Sequence, residues 1–502
     1  MAPTLFSFSS PKLPKQSEVG GKALSLISST LAGLPVPRGL ALSVAFFQPW
    51  TESIKSGSDW RALLENPSRE HCDAVKAMAQ QLTFTEEQRY QLNAAMMELE
   101  GVSIFAVRSS SPEEDLEGSS FAGMYETFLG TRRDQLEGNI AKAYASMFDF
   151  RVMEYKTQNG LELESSCISI VVQQQVASDI SGVGFSLNPL NNCYDEAVIN
   201  ASFGLGEAIV SGIVTPDNYV IEKVSMELLE KTVNNKAIAL KLADKGGIEQ
   251  FENPLPTAQA LTDSQIMSLT ELIKLCESHY QFPVDIEWAF ENDTLHLLQA
   301  RPVTGYVPLF PELRTLPGEP KRLYMDIMPL TQGFDAPLSV LGGDIWAMVL
   351  DRLKQGSFPA GEDGYLLNLH GRQYFLLHNL FKGLGKKLGA RILSSYDNAF
   401  EGREEETYRE YIAQNVTSLM KQGKKAQLRM IFTMLPAMVK VILNPVKRAE
   451  EFEDVVHGLM RKFKALENDR LYNELVDSVF DAFQEVIEKM IIFVPGLLAD
   501  RK

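Results

Sequence analysis

The sequence predicts an α+β protein in two parts: residues 1–304, where short strands alternate with helices, and residues 322–502, which read as mainly helical. Three observations carry this. Apolar runs of strand length recur between helical stretches, as in "VSIFAV" (102–107) and "ISIVVQQQV" (168–176). Proline-rich text, "GYVPLFPELRTLPGEPKR" (305–322), then interrupts them, so that 305–321 reads as a linker. Beyond it, "LYNELVDSVFDAFQEVIEKMI" (471–491) keeps Leu471, Leu475, Val479, Phe483 and Ile487 on one helical stripe, as a packed helix does.

The first element is "EVGGKALSLISSTLAGLPVPRGLALSV" (18–44). Leu24, Ile27 and Leu31 follow helical spacing, Gly20-Gly21 opens the helix and Gly33 closes it. Lys22 therefore falls in the first turn, where a cation opposes the helix dipole. An anion held by Lys22, the glycine backbone and the helix N-terminus would resolve that conflict; a solvated surface lysine is the plain alternative.

Residues 60–100 read as polar helices and lead into the strand 102–107. That strand enters "FAVRSSSPEEDLEGSSFAGMYETFLG" (105–130), an arginine followed by small hydroxyl residues, acids and a glycine. Phosphate recognition needs backbone N–H groups that allow close approach, together with one or two fixed cations. Arg108 at a strand end offers a guanidinium fork, and Ser119, Ser120, Ala122 and Gly123 leave the chain bare enough to wrap a polyphosphate. A Ser/Gly-rich stretch alone is also an ordinary turn.

A helical segment over 134–158 comes next, then strands at 168–176, 182–187, 196–204 and 218–223. The last β unit of this part is "VDIEWAFENDTLHLLQARPV" (284–303). A three-residue loop, Asn292–Thr294, would set Ile286, Trp288 and Phe290 opposite Ala300, Leu298 and His296 on one face. The other face would pair Asp285 with Arg301 and Glu287 with Gln299. A two-residue loop would mix polar and apolar residues on both faces, so the pattern favours the odd loop. Carboxylates, an amide and a guanidinium then cluster as in a metal–phosphate site, or as on an exposed polar hairpin face.

Composition bounds the function. The chain has 502 residues, enough for two to four domains, and 48 Lys+Arg against 65 Asp+Glu leave a net charge of −17. This argues against an extended nucleic-acid or anionic-membrane surface and allows only a local phosphate pocket. The four cysteines form no CxxC pair or metal-ligand spacing, the start lacks the signal-peptide pattern, and "MIFTMLPAMVKVIL" (430–443) is too short and interrupted to span a bilayer. A cytoplasmic protein with reduced thiols is expected. No P-loop and no kinase-type string occurs, and "GLGEAI" (204–209) places Ile209 where a dinucleotide fingerprint needs its third glycine.

In order and spacing, "VGGKALSLISSTLAGLPVPRG", the 105–130 stretch, "SGVGFSLNP", "VINASFGLGEAIVSGIVTPDNYVI" and "DIEWAFENDTLHLLQARPVT" resemble one known domain. It is the nucleotide-binding domain shared by phosphoenolpyruvate synthase, pyruvate phosphate dikinase and rifampin phosphotransferase, and the resemblance covers about residues 15–304. It implies an ATP-grasp fold, two α+β subdomains closing on ATP and Mg²⁺. It further implies that Lys22 and Arg108 contact ATP phosphates, that Gly123 and Thr127 belong to a phosphate-covering loop, and that Gln173 lines the adenine pocket. Glu287 and Gln299 would hold Mg²⁺, and Arg301 would reach the terminal phosphates.

In that family ATP gives its β-phosphoryl group to an acceptor and its γ-phosphate to water or inorganic phosphate. The β-phosphoryl group travels on a histidine of a swivelling domain, in a Gly-Gly-x-x-Ser/Thr-His context. None of His71, His279, His296, His370, His378 or His457 has that context. The relay histidine is therefore expected on another polypeptide or on chain outside these residues, unless this member dispenses with it. The stretch 322–350 resembles the start of the family's helical acceptor-binding domain, which implies a small-molecule acceptor and an acceptor side at 322–502. Two other readings stand beside this one: an ATP-dependent condensing enzyme like the prodigiosin-condensing relatives, and a nucleotide-binding regulatory module.

Overall fold

A computed structural model describes residues 3–113, 124–303, 305–306, 310–315, 322–326 and 366–378, together with 454, 457, 458 and 461. The chain divides into two compact units, Met1–Pro317 and Gly318–Lys502.

The described residues of the first unit form two large antiparallel sheets and a two-stranded hairpin. One takes β1 (Leu5–Ser7), β2 (Gly39–Leu42), β3 (Ile104–Ser110), β4 (Thr127–Arg132) and β5 (Ser169–Gln174) in the order β1-β2-β5-β3-β4. Its strands alternate cleanly. Leu40, Leu42, Phe105, Val107, Ile170 and Val172 face a large core built with α2 (Gln48–Ser56), α3 (Ser58–Glu65), α4 (Arg69–Gln80), α5 (Glu86–Ala95), α6 (Leu136–Ala145) and α7 (Phe150–Gln158). On the opposite face Ala41 and Val171 pack under α1 (Gln16–Leu31), whose Val19, Ala23, Leu26 and Ile27 complete a smaller core.

Helix α1 is broken at Gly20, whose φ of 73° and ψ of 169° lie outside the helical region. A side chain there would be strained by the positive φ and would overlap the Ser110 backbone, so only glycine fits. The helix restarts with Lys22 in its first turn and ends before Gly33, which has φ 78°.

The second sheet uses β6 (Ile180–Phe185), β7 (Glu196–Phe203), β8 (Asp217–Glu222), β9 (Glu227–Thr232), β12 (Val284–Glu291) and β13 (Thr294–Pro302), ordered β13-β12-β6-β7-β8-β9. Its apolar face is covered by a helix over Asp263–Tyr280, whose Ile266, Leu269, Ile273 and Cys276 pack on Ile199, Ile286 and Trp288. That helix starts with a Thr262/Gln265 capping box. A hairpin of β10 (Ile238–Leu242) and β11 (Ile248–Glu252) stands beside the sheet. It is tied to the sheet by a fully buried Lys236–Asp217 ion pair, in which Asp217 also accepts the backbone N–H groups of Asn234 and Ala260.

The two sheets are joined at their margins as well as across the gap between them. Ser25 of α1 donates to the Ala300 carbonyl at 2.5 Å, Tyr280 hydrogen-bonds Ser25 and Ser29, and the Leu297 N–H donates to the Pro35 carbonyl. At the far side the β10–β11 hairpin reaches β4, where the Gly247 N–H donates to the Gly130 carbonyl at 2.9 Å.

The β12–β13 hairpin departs from the expected loop. Asn292 and Asp293 have φ of 49° and 64°, the left-handed pair of a tight two-residue turn. Trp288 therefore opposes Leu297 and Phe290 opposes Leu295, rather than Leu298 and His296. One extra residue, Leu298, bulges out between Leu297 and Gln299 and restores the remaining register: Ile286 opposite Ala300, Asp285 opposite Arg301 and Glu287 opposite Gln299.

In the second unit the described residues form a three-stranded antiparallel sheet: Tyr324–Asp326, Leu366–Leu369 and Arg372–Leu376, with the last strand central. His370 sits in the turn between two of the strands, and His378 is buried against the Leu323 backbone. The helix expected at 471–491, most of the helical 322–502 region and the 430–443 stretch lie outside the described residues.

Candidate nucleotide site

The polar face of the second sheet looks toward the α1-bearing face of the first, and the side chains between them divide by charge. Cross-strand pairing runs Gln299–Glu287–Val183–Asn200–Asn218 in one row across β13, β12, β6, β7 and β8. Asp285 and Arg301 form the next pair, with the Arg301 Nε donating to both Asp285 oxygens at 2.9 Å.

From the first sheet Arg108 crosses the gap. Its Nη2 meets Glu287 Oε2 at 2.5 Å and its Nη1 donates to the Leu298 carbonyl at 3.1 Å, so the β-bulge presents an acceptor to the arginine. Side-chain exposure is 14% for Arg108 and 27% for Glu287, which makes this a partly desolvated, charge-assisted contact. Burial by itself would raise the Glu287 carboxyl. The Arg108 guanidinium, through charge and hydrogen bond, and then Arg301 and Lys22, outweigh burial and hold it below its ordinary value. Lys22 thus acts on the same carboxylate from α1.

Two further carboxyls shift the other way. Asp285 is raised by burial against the lowering effect of Arg301, with Glu287 adding repulsion. Glu207, directly after the Gly204–Gly206 turn, is raised by burial and by Glu287, with Arg108 opposing. Glu207 belongs to the cluster, and the sequence reading missed it. Its only signal was a carboxylate inside "GLGEAI", a string set aside for lacking the third glycine of another fold's motif.

Of the other expected residues, Thr127 pairs directly with Arg108 across β4 and β3 and shares its face. Gln173 stands on that face one pair further on, opposite Ala106, is only 2% exposed, and carries an Nε2 without a hydrogen-bond partner. Gly123, with Ser119, Ser120 and Ala122, lies outside the described residues. The expected anion site on the glycine amides is altered: the Gly21 N–H donates to the Ser111 carbonyl and the Ala23 N–H to Ser110 Oγ. Protein groups already engage these two donors, and Lys22 stands between them.

Two lysines of the helical layer fix the chain on either side of 114–123. Lys156 of α7, buried, pairs with Glu113 at 2.5 Å and donates to Ser166 Oγ. Lys76 of α4 pairs with Glu126 at 2.8 Å and Asp149 at 3.0 Å.

The donor set fits a hard divalent cation. Gln299 is 4% exposed and its Oε1 has no hydrogen-bond partner, while the carboxylate of Glu287 stands in the directly opposed position. An amide oxygen beside a carboxylate suits Mg²⁺, which takes one or two protein ligands and completes its shell from phosphates and water. Among the described residues no group of three or more His, Cys, Asp or Glu side chains forms a metal centre by itself. Nor is any helix among them long and apolar enough to cross a membrane.

Residues 16–307 match the family model of the pyruvate phosphate dikinase AMP/ATP-binding domain. An uncharacterized phosphotransferase of Bacillus subtilis, YvkC, is 37% identical over 57% of this chain and 33% of its own length. The phosphoenolpyruvate synthase of Pyrococcus furiosus is 31% identical over 57% of this chain and 42% of its own length. The rifampicin phosphotransferase of Bacillus cereus is 31% identical over 70% of this chain and 43% of its own length. The chain thus spans a third to somewhat over two fifths of each of these relatives.

Proposed function

The chain belongs to the pyruvate phosphate dikinase AMP/ATP-binding domain family, and from that premise we propose that its first unit binds ATP with Mg²⁺ between the two sheets, in the manner of an ATP-grasp fold, and activates it for phosphoryl transfer. The observation that carries the reading is the meeting of Arg108 with Glu287 beside the unpartnered oxygen of Gln299.

Lys22, Arg108 and Arg301 supply positive charge for the phosphates. The Arg108 fork, now on Glu287, suits two phosphate oxygens equally well, so nucleotide binding exchanges one anionic partner for another. Gln173 offers an amide donor for the base, Thr127 a hydroxyl beside Arg108, and Gly123 a residue without a side chain for the phosphate-covering loop. Glu287 and Gln299 would hold Mg²⁺, which when bound neutralises charge on the phosphate oxygens.

In this proposal the transfer is of dikinase type. A nucleophile attacks the β-phosphorus, the bond to the α–β bridging oxygen breaks, AMP leaves, and the γ-phosphate passes to water or inorganic phosphate. In this proposal the nucleophile is a histidine of a phosphohistidine domain outside these residues, because none of the six histidines stands in a Gly-Gly-x-x-Ser/Thr-His context. The second unit then serves a small-molecule acceptor. Titration calorimetry of the 502-residue chain should show ATP binding that requires Mg²⁺. Product analysis with a histidine-bearing domain added should give AMP; ADP, or a condensed product with released phosphate, would redirect the assignment to another ATP-using class.

A further inference from the structure

The break at Gly20 creates a problem that the buried serines solve. A helix interrupted there leaves the Val19 carbonyl and the amides of the restarted helix without their helical partners, in a place closed to water. Ser110 Oγ donates to the Val19 carbonyl at 2.8 Å and accepts the Ala23 N–H at 3.0 Å, so one hydroxyl spans the break from both sides. Ser169 Oγ reaches the same carbonyl, and the Ser111 carbonyl takes the Gly21 N–H. Ser110 and Ser169 are both fully buried. Lys22 lies between two residues, Gly21 and Ala23, whose amides are both tied to the end of β3.

We propose that Ser110, assisted by Ser169, is a positioning residue for Lys22: by bracketing the break in α1 its hydroxyl fixes where the lysine enters the nucleotide site. The inference rests on the proposed ATP site and deepens it. It also reassigns part of the 105–130 stretch. The Ser110 hydroxyl is directed at α1 rather than at phosphate, and its one hydrogen and its acceptor contact are already committed.

The test is a double-mutant cycle on the full chain, read as the Mg·ATP dissociation constant by calorimetry, with thermal melting of each variant as a check on folding. Ser110→Ala should weaken binding about tenfold in the parent chain, the scale of one or two lost buried hydrogen bonds. In a Lys22→Ala background the same change should cost less than about twofold, because the residue acts through the lysine. Equal losses in both backgrounds, or no loss in the parent, would overturn the proposal. Should Ser110→Ala not fold, Ser169→Ala gives the same contrast at about threefold, and equal losses again refute it. If Lys22→Ala alone left Mg·ATP affinity unchanged, the site assignment itself would fall, and the bracket's role with it.

Discussion

The two sheets of the first unit differ less in size than in what they bring to the gap between them. The five-stranded sheet has a helical layer and a large core behind it and contributes Arg108, with Lys22 on the helix packed over its other face. The six-stranded sheet has one long helix behind it and contributes oxygen: Glu287, Gln299 and Asp285, with only Arg301 as a cation among them. Neither face alone could hold a magnesium–polyphosphate complex. The cations would repel the metal and the carboxylates would repel the phosphates, so the proposed site needs both sheets.

Breaking the oxygen side should have the largest effect. Glu287→Gln preserves shape but removes the charge that faces Arg108 and the metal, and Mg·ATP affinity should fall about a hundredfold by calorimetry. A loss below threefold would show that the six-stranded sheet does not supply the metal ligand.

A change on the cationic side separates binding from stability. Gln173→Leu removes a buried amide whose Nε2 lacks a partner, so the nucleotide-free chain should become more stable by about 1 kcal/mol in denaturant melts. The same variant should bind ATP several-fold more weakly. Unchanged or tighter ATP binding would exclude Gln173 from the base pocket.

The smallest effect is on pH dependence. The folded Glu287 carboxyl titrates below its ordinary value of 4.5, so its stabilising contribution is complete above that value and is lost as pH falls through the lower, folded one. Acid melts should therefore lose less stability below about pH 4.5 in Glu287→Gln than in the parent. An unchanged acid limb would mean that the contact with Arg108 contributes nothing in solution.

Much of this arrangement was legible because strand alternation and charge are local properties. The pairs Asp285–Arg301 and Glu287–Gln299 follow from a period of two, and Lys22 in a first helical turn follows from the glycine pair before it; the stretch from Gln16 ahead of the break at Gly20 was not expected, because the glycines were read as opening the helix. The turn was misjudged because the register argument weighed loop lengths without a bulge; Leu298 absorbs the residue that the tight turn removes. Glu207 was out of reach because its role depends on the gap across which Arg108 and Glu287 meet, and no spacing along the chain encodes that. The direction of the Ser110 hydroxyl was hidden for the same reason, since its partners lie about 90 residues away in α1.

The lysines that hold Glu113 and Glu126 have a consequence for how this domain can vary. They rise from separate helices, α7 and α4, and grip the chain on the two sides of 114–123, so the distance between those grips is set by the packing of the helical layer. Lengthening the intervening connection by a few residues adds only a small closure entropy, since that cost grows with the logarithm of length. Insertions between the grips can thus be accepted while Glu113 and Glu126 keep their places. The same insertions in α4 or α7 would move one of these ends directly, which makes two helices on the sheet face opposite α1 the less forgiving part of the domain.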